Sequence, residues 1–500
     1  MPQRGRHYLH LMKTNIFTTS DGKNHFVTFA LITSLFLLWG FCNGMIDVMD
    51  KHFQEELGLT LAQSAWVQFA HYLGYFLMAL PAGWLATKLG YKGGIVAGLL
   101  MVALGGFWFI PATQIAEFWA FLLGVCLIAA GLTFLETVAN PYTTVLGAPE
   151  YAASRINLAQ SFNGIGWVFG PMAGAMFFYG TDATGKSTGS ETLWIPYAAV
   201  GAVVLVLAVI FWRINIPDIR AEDTCHLDDD VAGPVAEEMA GSGRRGMALA
   251  LLWANLVVLS LSVGMIATAI GMLVSDWPFD RILVTASATC IVVFSAVMLW
   301  RMGRITHHSI WLHPHFSAAT LAQFFYVAAQ AGIFAYFINY MTSESPMAIS
   351  SATASTLASV GFICFLTGRF IGAGLVKRYR PHLVLGVFAA ANVLLCAGIM
   401  LKLGWISVVA VFGAYFFMSI MFPTIFALGI AGLGGRAKRA AAYLVMAIMG
   451  GAIVPKLMGH IADLTNVSIS FIVPLVCFSV VALYGFSWQS LRGTPARASL

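Results

Sequence analysis

The stretch Gly131-Leu-Thr-Phe-Leu-Glu136-Thr-Val-Ala-Asn140-Pro141-Tyr-Thr-Thr-Val-Leu-Gly147 places one carboxylate inside a segment that is otherwise apolar enough to cross a bilayer. A charge at membrane depth is costly, so such residues usually face a cavity and mark the route of an ion or a substrate. Glu136 and Asn140 are four residues apart and share a helix face. This pair predicts a group that takes up and releases a proton. The alternative is a structural hydrogen bond between helices.

The composition of the whole chain indicates a polytopic membrane protein. Of its 500 residues, 59% are apolar and only 10% are charged, whereas soluble domains carry about 25% charged residues. Seven cysteines are scattered singly, which indicates neither a disulfide framework nor a metal site. Metalloprotease and ATP-binding motifs and a glycosidase-type carboxylate pair are missing from the sequence. We therefore expect no enzymatic reaction, no cofactor and no nucleic-acid partner, and uphill transport would require an ion gradient.

Apolar stretches of about 20 residues, the length of a spanning helix, occur at fourteen places. They lie at 26–49, 64–86, 94–113, 118–140, 156–178, 194–213, 247–274, 281–300, 318–341, 348–373, 382–401, 405–430, 440–461 and 470–489. The predicted organisation is all-α, and its parts are a tail (1–25), a six-helix lobe (26–213), a linker (214–245), an inserted helix pair (246–301), a second six-helix lobe (315–490) and a tail (491–500). The basic first 25 residues lack the apolar core of a cleaved signal peptide.

Lysine and arginine collect in alternate loops between these spans. Examples are the loops with Lys88 and Lys92, with Arg244 and Arg245, and with Arg378 and Arg380. Positive charge marks the cytoplasmic side of a membrane protein, so both termini are predicted to be cytoplasmic, as in a protein of the cytoplasmic (inner) membrane. The linker is acidic and rich in glycine and alanine, which is typical of a flexible connection.

The two six-span blocks resemble each other weakly. Three pairs of features recur in the same order: Gly83 to Lys88 with Gly372 to Lys377, Pro141 and Gly147 with Pro423 and Gly429, and Gly166 and Pro171 with Gly450 and Pro455. Many secondary transporters consist of such parallel halves, with the binding site near the midplane between them. In this repeat the counterpart of Glu136 is Met418. The asymmetry predicts that proton coupling lies in the N-terminal half.

A second acid lies in the first span. Asn43 and Asp47 repeat the four-residue spacing, so Asp47 could form a proton relay with Glu136. Asp50 and Lys51 follow closely, however, and a helix-end acid at the outer interface is the alternative. In the second-last span, Lys456 is either a counter-charge to an acid or a side chain that reaches the interface.

Amides recur at helical spacing in two further spans. One amide in a span commonly joins two helices, whereas three on one stripe indicate a polar cavity wall. Amides beside aromatic rings suit sugars, whose hydroxyls need hydrogen-bond partners while their C–H faces pack on rings. The alternative for the later span is an ordinary aromatic packing face. The candidates are Asn157, Gln160 and Asn163 in the fifth span and Gln323, Tyr326 and Gln330 in the first span of the second lobe.

Several of these motifs together resemble known transporters. Gly83-Trp-Leu-Ala-Thr-Lys88-Leu-Gly90-Tyr-Lys92 is similar to the loop signature of the major facilitator superfamily, with Thr87 where the signature has an acid. Five further motifs resemble the bacterial fucose/proton symporter family, which includes glucose/galactose and N-acetylglucosamine permeases. They are Leu135-Glu136-Thr-Val-Ala-Asn140-Pro141, Asn157-Leu-Ala-Gln160-Ser-Phe-Asn163, Gln323-Phe-Phe-Tyr326-Val-Ala-Ala-Gln330, Met418-Ser-Ile-Met-Phe-Pro423 and Gly450-Gly-Ala-Ile-Val-Pro455.

The resemblance implies a twelve-helix fold of two lobes that alternates between inward-open and outward-open states, to which this chain adds the inserted pair. It also implies proton coupling by Asp47 and Glu136. Sugar binding is implied or predicted at Asn43, Asn140, Asn157, Gln160, Asn163, Gln323, Tyr326 and Gln330, and a gating role at Gly83, Lys88, Gly90 and Lys92. Met421 stands where the fucose permeases have a glutamine, which leaves the sugar open.

The predicted function is proton-coupled import of a monosaccharide, a deoxyhexose such as fucose or a hexose such as glucose or galactose. We expect the partners to be the sugar, a proton and the lipid bilayer, with sodium as an alternative coupling ion and the monomer as the working unit. Three alternatives stay open: an N-acetylglucosamine permease, a proton/drug antiporter and a membrane sensor that transports nothing. The C-terminal half is expected to supply mainly sugar contacts and motion.

Overall fold

A computed structural model of the chain describes residues 16–19, 22–56, 66–178, 192–219, 242–274, 309–346 and 351–493, together with 289 and 293. Within these residues the fold is helical, as predicted. The α-helices are α1 Phe26–Glu56, α2 Trp66–Ile115, α3 Phe118–Val145, α4 Ala152–Phe178, α5 Trp194–Arg213, α6 Ser242–Val274, α7 Pro314–Ser343, α8 Ser351–Arg378, α9 Pro381–Met400, α10 Trp405–Met418, α11 Met421–Ile430, α12 Ala437–Met446, α13 Gly450–Leu464, α14 Val467–Ser470 and α15 Ile472–Arg492.

Helix α2 contains two of the predicted spans, which are joined by a reversal at Gly90. This residue has a positive φ of 72°, a conformation that glycine adopts without steric cost. A Cβ placed on Gly94 would lie 3.6 Å from the Cβ of Ala86, so the residues on either side of Gly90 face each other. The helix therefore folds back as two arms, and it packs against α3 and α5.

Eleven helical stretches of the described residues are long and apolar enough to cross a membrane. One of them, Phe69–Ile115, covers both arms of α2. Helix α4 covers the predicted span 156–178, and every other predicted span except 281–300 also falls on a described helix. Of residues 281–300, the predicted second helix of the inserted pair, the structure describes 289 and 293, and the others lie outside the described residues. The total of fourteen spans therefore stays a prediction.

The described helices pack in two groups, which we call the N-terminal and the C-terminal lobe. In the N-terminal lobe, α1 packs on α4, and α2 packs on α3 and α5. In the C-terminal lobe, α9 packs on α15, α7 on α13 and α15, and α8 on α10. The inserted helix α6 lies against α7, where the Asn255 side-chain amide donates a 2.8 Å hydrogen bond to the carbonyl of Ser317. The described part of the insertion is thus held by the C-terminal lobe.

Small residues allow α1 and α4 to approach closely. A Cβ on Gly40 would overlap the carbonyl of Asn163, and one on Gly166 would overlap the carbonyl of Leu37. Helices in membranes commonly pack through such small residues because dispersion contacts and hydrogen bonds replace the hydrophobic driving force. The approach places the predicted site residue Asn163 directly beside α1.

The lobes meet at the end of the bundle that holds the start of α1 and the ends of α3 and α8. We call it the basic end, because Lys88, Arg378 and Lys438 lie there. The hydroxyl of Ser154, on α4, donates a 2.9 Å hydrogen bond to the carbonyl of Ala373, on α8. These contacts close the basic end between the lobes.

Arg155 stabilises the connection between α3 and α4 at this end. It is fully buried, and its guanidinium donates hydrogen bonds to five carbonyls, while no hydrogen bond to a carboxylate occurs among the described residues. The acceptors are Ile16, Thr143, Thr144, Gly147 and Ala148. The last carbonyls of a helix lack donors within the helix, and Arg155 supplies them for α3.

Candidate functional site

Glu136 lies on α3 and faces the junction of the lobes. It is 2% exposed, and it is the one buried carboxylate among the described side chains. Neither carboxyl oxygen has a hydrogen-bond partner in the described part of the chain. The carboxyl interacts electrostatically with Arg369 of α8 and with Tyr75 of α2. The acid predicted from sequence is therefore buried and lies within reach of a charge from the other lobe.

Helices α1 and α2 supply an aromatic and amide wall beside Glu136. The indole of Trp39 donates a 2.6 Å hydrogen bond to the hydroxyl of Tyr75. The side chain of Asn43 is buried beside Tyr75, and its oxygen has no partner among the described residues. Asp47 lies one turn further along α1, but its side chain is outside the described part. Its proton-coupling role stays a prediction.

The three predicted amides of α4 lie on one face, and all three are buried. The side chain of Gln160 donates a 3.1 Å hydrogen bond to the side-chain oxygen of Asn140, one turn from Glu136. The side chain of Asn157 donates a 3.0 Å hydrogen bond to the hydroxyl of Thr424 on α11, in the other lobe. The stripe predicted from sequence therefore faces the C-terminal lobe.

Arg369 on α8 holds this stripe from the other lobe. It is 4% exposed, and its Nη1 donates to the side-chain oxygens of Asn163 at 3.0 Å and of Gln160 at 3.4 Å, and to the Gln160 carbonyl. Its Nε donates to the carbonyl of Ser419 at 3.0 Å. The sequence-based prediction missed Arg369, although a lone arginine inside the predicted span 348–373 was a signal of the same kind as Glu136.

The carbonyl of Ser419 is available to Arg369 because of a proline one turn further on. In an α-helix this carbonyl would accept from the N–H of residue 423, but Pro423 has none. The helix ends at Met418 and resumes at Met421. The break gives Arg369 an acceptor at the junction.

Helix α7 contributes polar atoms that have no partner. Gln323 and Tyr326 are fully buried, and neither the amide of Gln323 nor the hydroxyl of Tyr326 has a hydrogen-bond partner in the described part. Buried polar groups without partners are costly, so these groups fit a ligand that offers hydroxyls. Gln330 is half-buried, and no described contact joins its side chain to Glu136 or Arg369.

Aromatic rings connect α7 with α1. The ring of Phe422 lies 6.4 Å from Tyr326 and 6.3 Å from Trp39, measured between centroids. Apolar ring faces therefore adjoin the buried amides. The side chains brought together here form the central cluster: Trp39, Asn43, Tyr75, Glu136, Asn140, Gln160, Asn163, Tyr326, Arg369 and Phe422.

The predicted loop signature lies at the basic end, away from the central cluster. Gly83 packs against Ala442 of α12, and Gly90 packs against Asp218, a residue of the predicted linker. Lys88 is exposed and lies over the Trp84 ring, and Lys92 is half-buried.

Two residues that the sequence did not single out join the lobes at this signature. The ammonium of Lys438 forms a 2.9 Å ion pair with Asp218 and lies 4.0 Å from the centre of the Tyr91 ring. The preceding residue, Pro217, accepts a 2.7 Å hydrogen bond from the hydroxyl of Tyr142 on α3. The start of the linker is therefore anchored to the N-terminal lobe, and Asp218 connects it to the C-terminal lobe.

Comparison with known proteins supports the resemblance. The profile described as Major Facilitator Superfamily matches residues 25–433. The L-fucose-proton symporter of Escherichia coli is 33% identical over 469 residues, which cover 93% of each chain. The glucose/galactose transporter of Brucella abortus is 29% identical and covers 93% of this chain and 95% of its own.

Solved structures agree with the sequence relatives. The crystal structure of the Escherichia coli fucose:proton symporter covers 93% of this chain and 100% of its own, with a TM-score of 0.69 and 29% identity. The crystal structure of the transporter FucP in the outward conformation gives a TM-score of 0.68 at 30% identity. The match covers 93% of this chain and 99% of the FucP chain. The chain therefore belongs to the major facilitator superfamily and, within it, to the family of the fucose/proton and glucose/galactose transporters.

Proposed function

We propose that this protein imports a monosaccharide together with a proton, by alternating exposure of the central cluster to the two sides of the membrane. The observation that carries the proposal is the burial of Glu136 among amide and hydroxyl groups from both lobes. Protonation neutralises a carboxyl in a medium where its charge is costly, which lets the loaded carrier reorient. The names of the relatives, L-fucose-proton symporter and glucose/galactose transporter, agree with this function.

The sugar binds between α4 and α7. Asn43 and Gln323 carry buried atoms without partners among the described residues, and these atoms accept or donate to sugar hydroxyls. The rings of Trp39, Tyr326 and Phe422 pack on the apolar faces of the sugar. An antiporter of lipophilic drugs would need an apolar cavity, and the buried amides disfavour that alternative.

The described lobe contacts close the basic end, and Trp167 also meets Phe334 and Phe362 of the other lobe on the far side of Arg369. Positive charge lies on the cytoplasmic side of membrane proteins, so the basic end is the cytoplasmic end. The bonds between Ser154 and Ala373 and between Lys438 and Asp218 then close the cytoplasmic side.

The test is the substitution Glu136→Gln, studied in membrane vesicles with L-fucose, D-glucose and D-galactose. We expect uphill uptake driven by a proton gradient to be lost, because the amide cannot exchange a proton, while counterflow of the same sugar continues. Unchanged uphill uptake would disprove proton coupling by Glu136. Loss of both processes would instead assign Glu136 to sugar binding alone.

Two controls make this result specific. Glu117 lies at the exposed start of α3, so Glu117→Gln makes the same chemical change on the same helix and should leave uptake unchanged. Replacement of the imposed proton gradient by a sodium gradient in wild-type vesicles tests whether the proton or sodium drives sugar uptake. Uptake that follows sodium and ignores the proton gradient would overturn the choice of coupling ion.

A further inference from the structure

Arg369 connects the two kinds of residue that a symporter has to couple. It belongs to the C-terminal lobe, yet its guanidinium is hydrogen-bonded to Gln160 and Asn163 of the N-terminal lobe. Both amide oxygens are thereby held in one orientation. Arg369 thus fixes the geometry of two residues to which the proposed function assigns the sugar.

The same guanidinium lies close enough to Glu136 to interact with it electrostatically. No direct ion pair joins Arg369 and Glu136 among the described contacts, and neither carboxyl oxygen accepts a hydrogen bond there. The described hydrogen bonds of Arg369 use Nε and Nη1. Since an arginine has five N–H donors in a rigid fork, Nη2 is left to engage a carboxylate.

The surroundings offer an ionised Glu136 few alternatives to Arg369. The titratable groups that face Glu136 or Arg369 are Tyr75 on α2 and Tyr326 on α7. Cys42 of α1 lies beside Tyr75, and the His71 ring stacks edge-on against Tyr75 at 5.0 Å. Among described side chains, the other buried arginine, Arg155, is committed to carbonyls at the basic end. A negative charge on Glu136 therefore attracts Arg369 above all.

We propose that Arg369 is the positioning residue that makes proton binding and sugar binding cooperative. With a neutral Glu136, Arg369 holds Gln160 and Asn163 in the arrangement seen here, and the sugar finds an ordered site. With an ionised Glu136, Arg369 is drawn toward α3, releases the two amides, and the sugar site loses its order. This inference rests on the proposed function, since it assumes that the two amides bind sugar.

The coupling has the sign that symport requires. A proton on Glu136 raises the affinity for sugar, and by reciprocity a bound sugar raises the affinity of Glu136 for the proton. Couplings of this type amount to about 5-fold to 150-fold in affinity. Singly loaded carriers are thereby disfavoured relative to the empty and the doubly loaded carrier.

The experiment measures the dissociation constants of L-fucose, D-glucose and D-galactose with the purified full-length protein across a range of pH. For at least one of the sugars we expect wild-type affinity to fall about ten-fold from acid to alkaline pH. Glu136→Gln should bind with the affinity of the acidic wild type at every pH. Arg369→Gln should bind more weakly than wild type at acid pH and show no dependence on pH.

A conservative variant keeps the test decisive if Arg369→Gln does not fold. Arg369→Lys keeps the cation but not the fork that reaches two amides and a carbonyl. It should therefore bind more weakly than wild type at acid pH and keep a smaller dependence on pH than wild type. Affinities of Arg369→Lys equal to wild type at every pH would overturn the proposal, and so would an Arg369→Gln variant that is uniformly weaker but as pH-dependent as wild type.

The same titrations distinguish a wrong role for Arg369 from a wrong proposed function. If wild type binds none of the three sugars, the proposed function is wrong and the coupling role of Arg369 with it. If wild type binds a sugar in a pH-dependent way and Arg369→Gln does the same, only the role of Arg369 is wrong. If sugar binding by the Glu136→Gln variant still depends on pH, the proton that controls binding is held by another residue.

Discussion

Helix α3 and the pair α10 and α11 occupy corresponding places in the two lobes, and they differ in charge and continuity. Helix α3 continues through Pro141 without interruption, whereas its counterpart ends before Pro423 and resumes. The first carries the buried acid Glu136 and the second carries the buried Met418 at the repeat-related position. One lobe thus presents a buried acid, to which we assign the proton as a proposal, and the other uses a proline-freed carbonyl to hold a cation.

The buried acid and the buried cation therefore belong to different lobes. An acid and a cation on the same lobe would move together during alternating access. With Glu136 on one lobe and Arg369 on the other, their interaction depends on how the lobes are arranged. The expectation that the C-terminal half supplies mainly sugar contacts and motion therefore leaves out its charged contribution.

The largest effect is expected when the acid is moved to the other lobe. In the double variant Glu136→Gln with Met418→Glu, the new carboxyl enters a fully buried position at a cost of about 2.5–3.5 kcal/mol or more. We expect a marked loss of thermal stability and no recovery of uphill uptake, because the acid would share a lobe with Arg369. Thermal unfolding and vesicle uptake measure the two effects.

Met418→Gln in the same background is the matched control, since it adds polarity at this position without a charge. It should destabilise less than Met418→Glu. Recovery of proton-driven uptake by the glutamate variant would show that the lobe carrying the acid does not matter.

The next largest effect is expected when Pro423 is replaced, because this change should weaken sugar binding. Pro423→Ala restores an N–H that competes with Arg369 Nε for the Ser419 carbonyl, so the hydrogen bond from Arg369 is weakened or lost. Hydrogen bonds from charged groups contribute about 1.5–3 kcal/mol, so sugar affinity should fall about ten-fold or more.

Pro141→Ala is the control, because no described contact brings a cation to the carbonyl one turn before Pro141. We expect its sugar affinity to remain close to wild type in the same titration. Equal losses in both variants would mean that the proline break acts on the helix as a whole and not through Arg369.

The sequence predicted the all-helical membrane fold because hydrophobic length is a local property. It also predicted that Asn157, Gln160 and Asn163 share one face of α4, since helical spacing determines which residues share a face, and all three are buried. Arg369 was missed although its signal was local: Lys456 was the cation considered as a counter-charge inside a span, and Arg369, the lone arginine of the predicted span 348–373, was not.

Pairings between distant segments could not be read from spacing. The bond between Asn157 and Thr424 joins residues from different lobes, and so does the ion pair between Asp218 and Lys438. Asp218 lies at the start of an acidic, glycine-rich linker, where composition indicates a solvated residue. Only the packing of the lobes shows that this acid has a specific partner.

The hydrogen bond between Asn157 and Thr424 is expected to contribute a smaller amount to lobe association. Side-chain bonds between membrane helices average about 0.6 kcal/mol and reach about 1.7 kcal/mol. A double-mutant cycle with Asn157→Ala and Thr424→Val, followed by thermal or denaturant unfolding, should give a coupling in this range.

Thr133 supplies the control for this cycle. Its hydroxyl donates to the Ala129 carbonyl within α3 and makes no described bond to the other lobe. Thr133→Val combined with Asn157→Ala should therefore be additive. A coupling energy of zero between Asn157 and Thr424 would mean that the bond adds nothing to the junction.

The ion pair at the basic end should have the smallest effect, and it acts on conformation more than on binding. The Asp218 side chain is 58% exposed and that of Lys438 is 14% exposed, and such pairs contribute about 0–1 kcal/mol. Asp218→Asn should therefore raise the fraction of molecules open at the basic end by at most about five-fold. The readout is the labelling rate of a cysteine introduced by Ala373→Cys, at the interface with Ser154, compared with the chain that keeps Ala373.

The second described ion pair provides the matched comparison, since Lys402 and Glu344 lie 2.8 Å apart within the C-terminal lobe. Glu344→Gln removes a similar pair that does not cross between the lobes, and the labelling rate at position 373 should stay unchanged. Equal acceleration by Asp218→Asn and Glu344→Gln would mean that general loosening of the protein explains the effect. Acceleration by Asp218→Asn alone would show that a residue of the linker helps to set how long the carrier stays closed at its basic end.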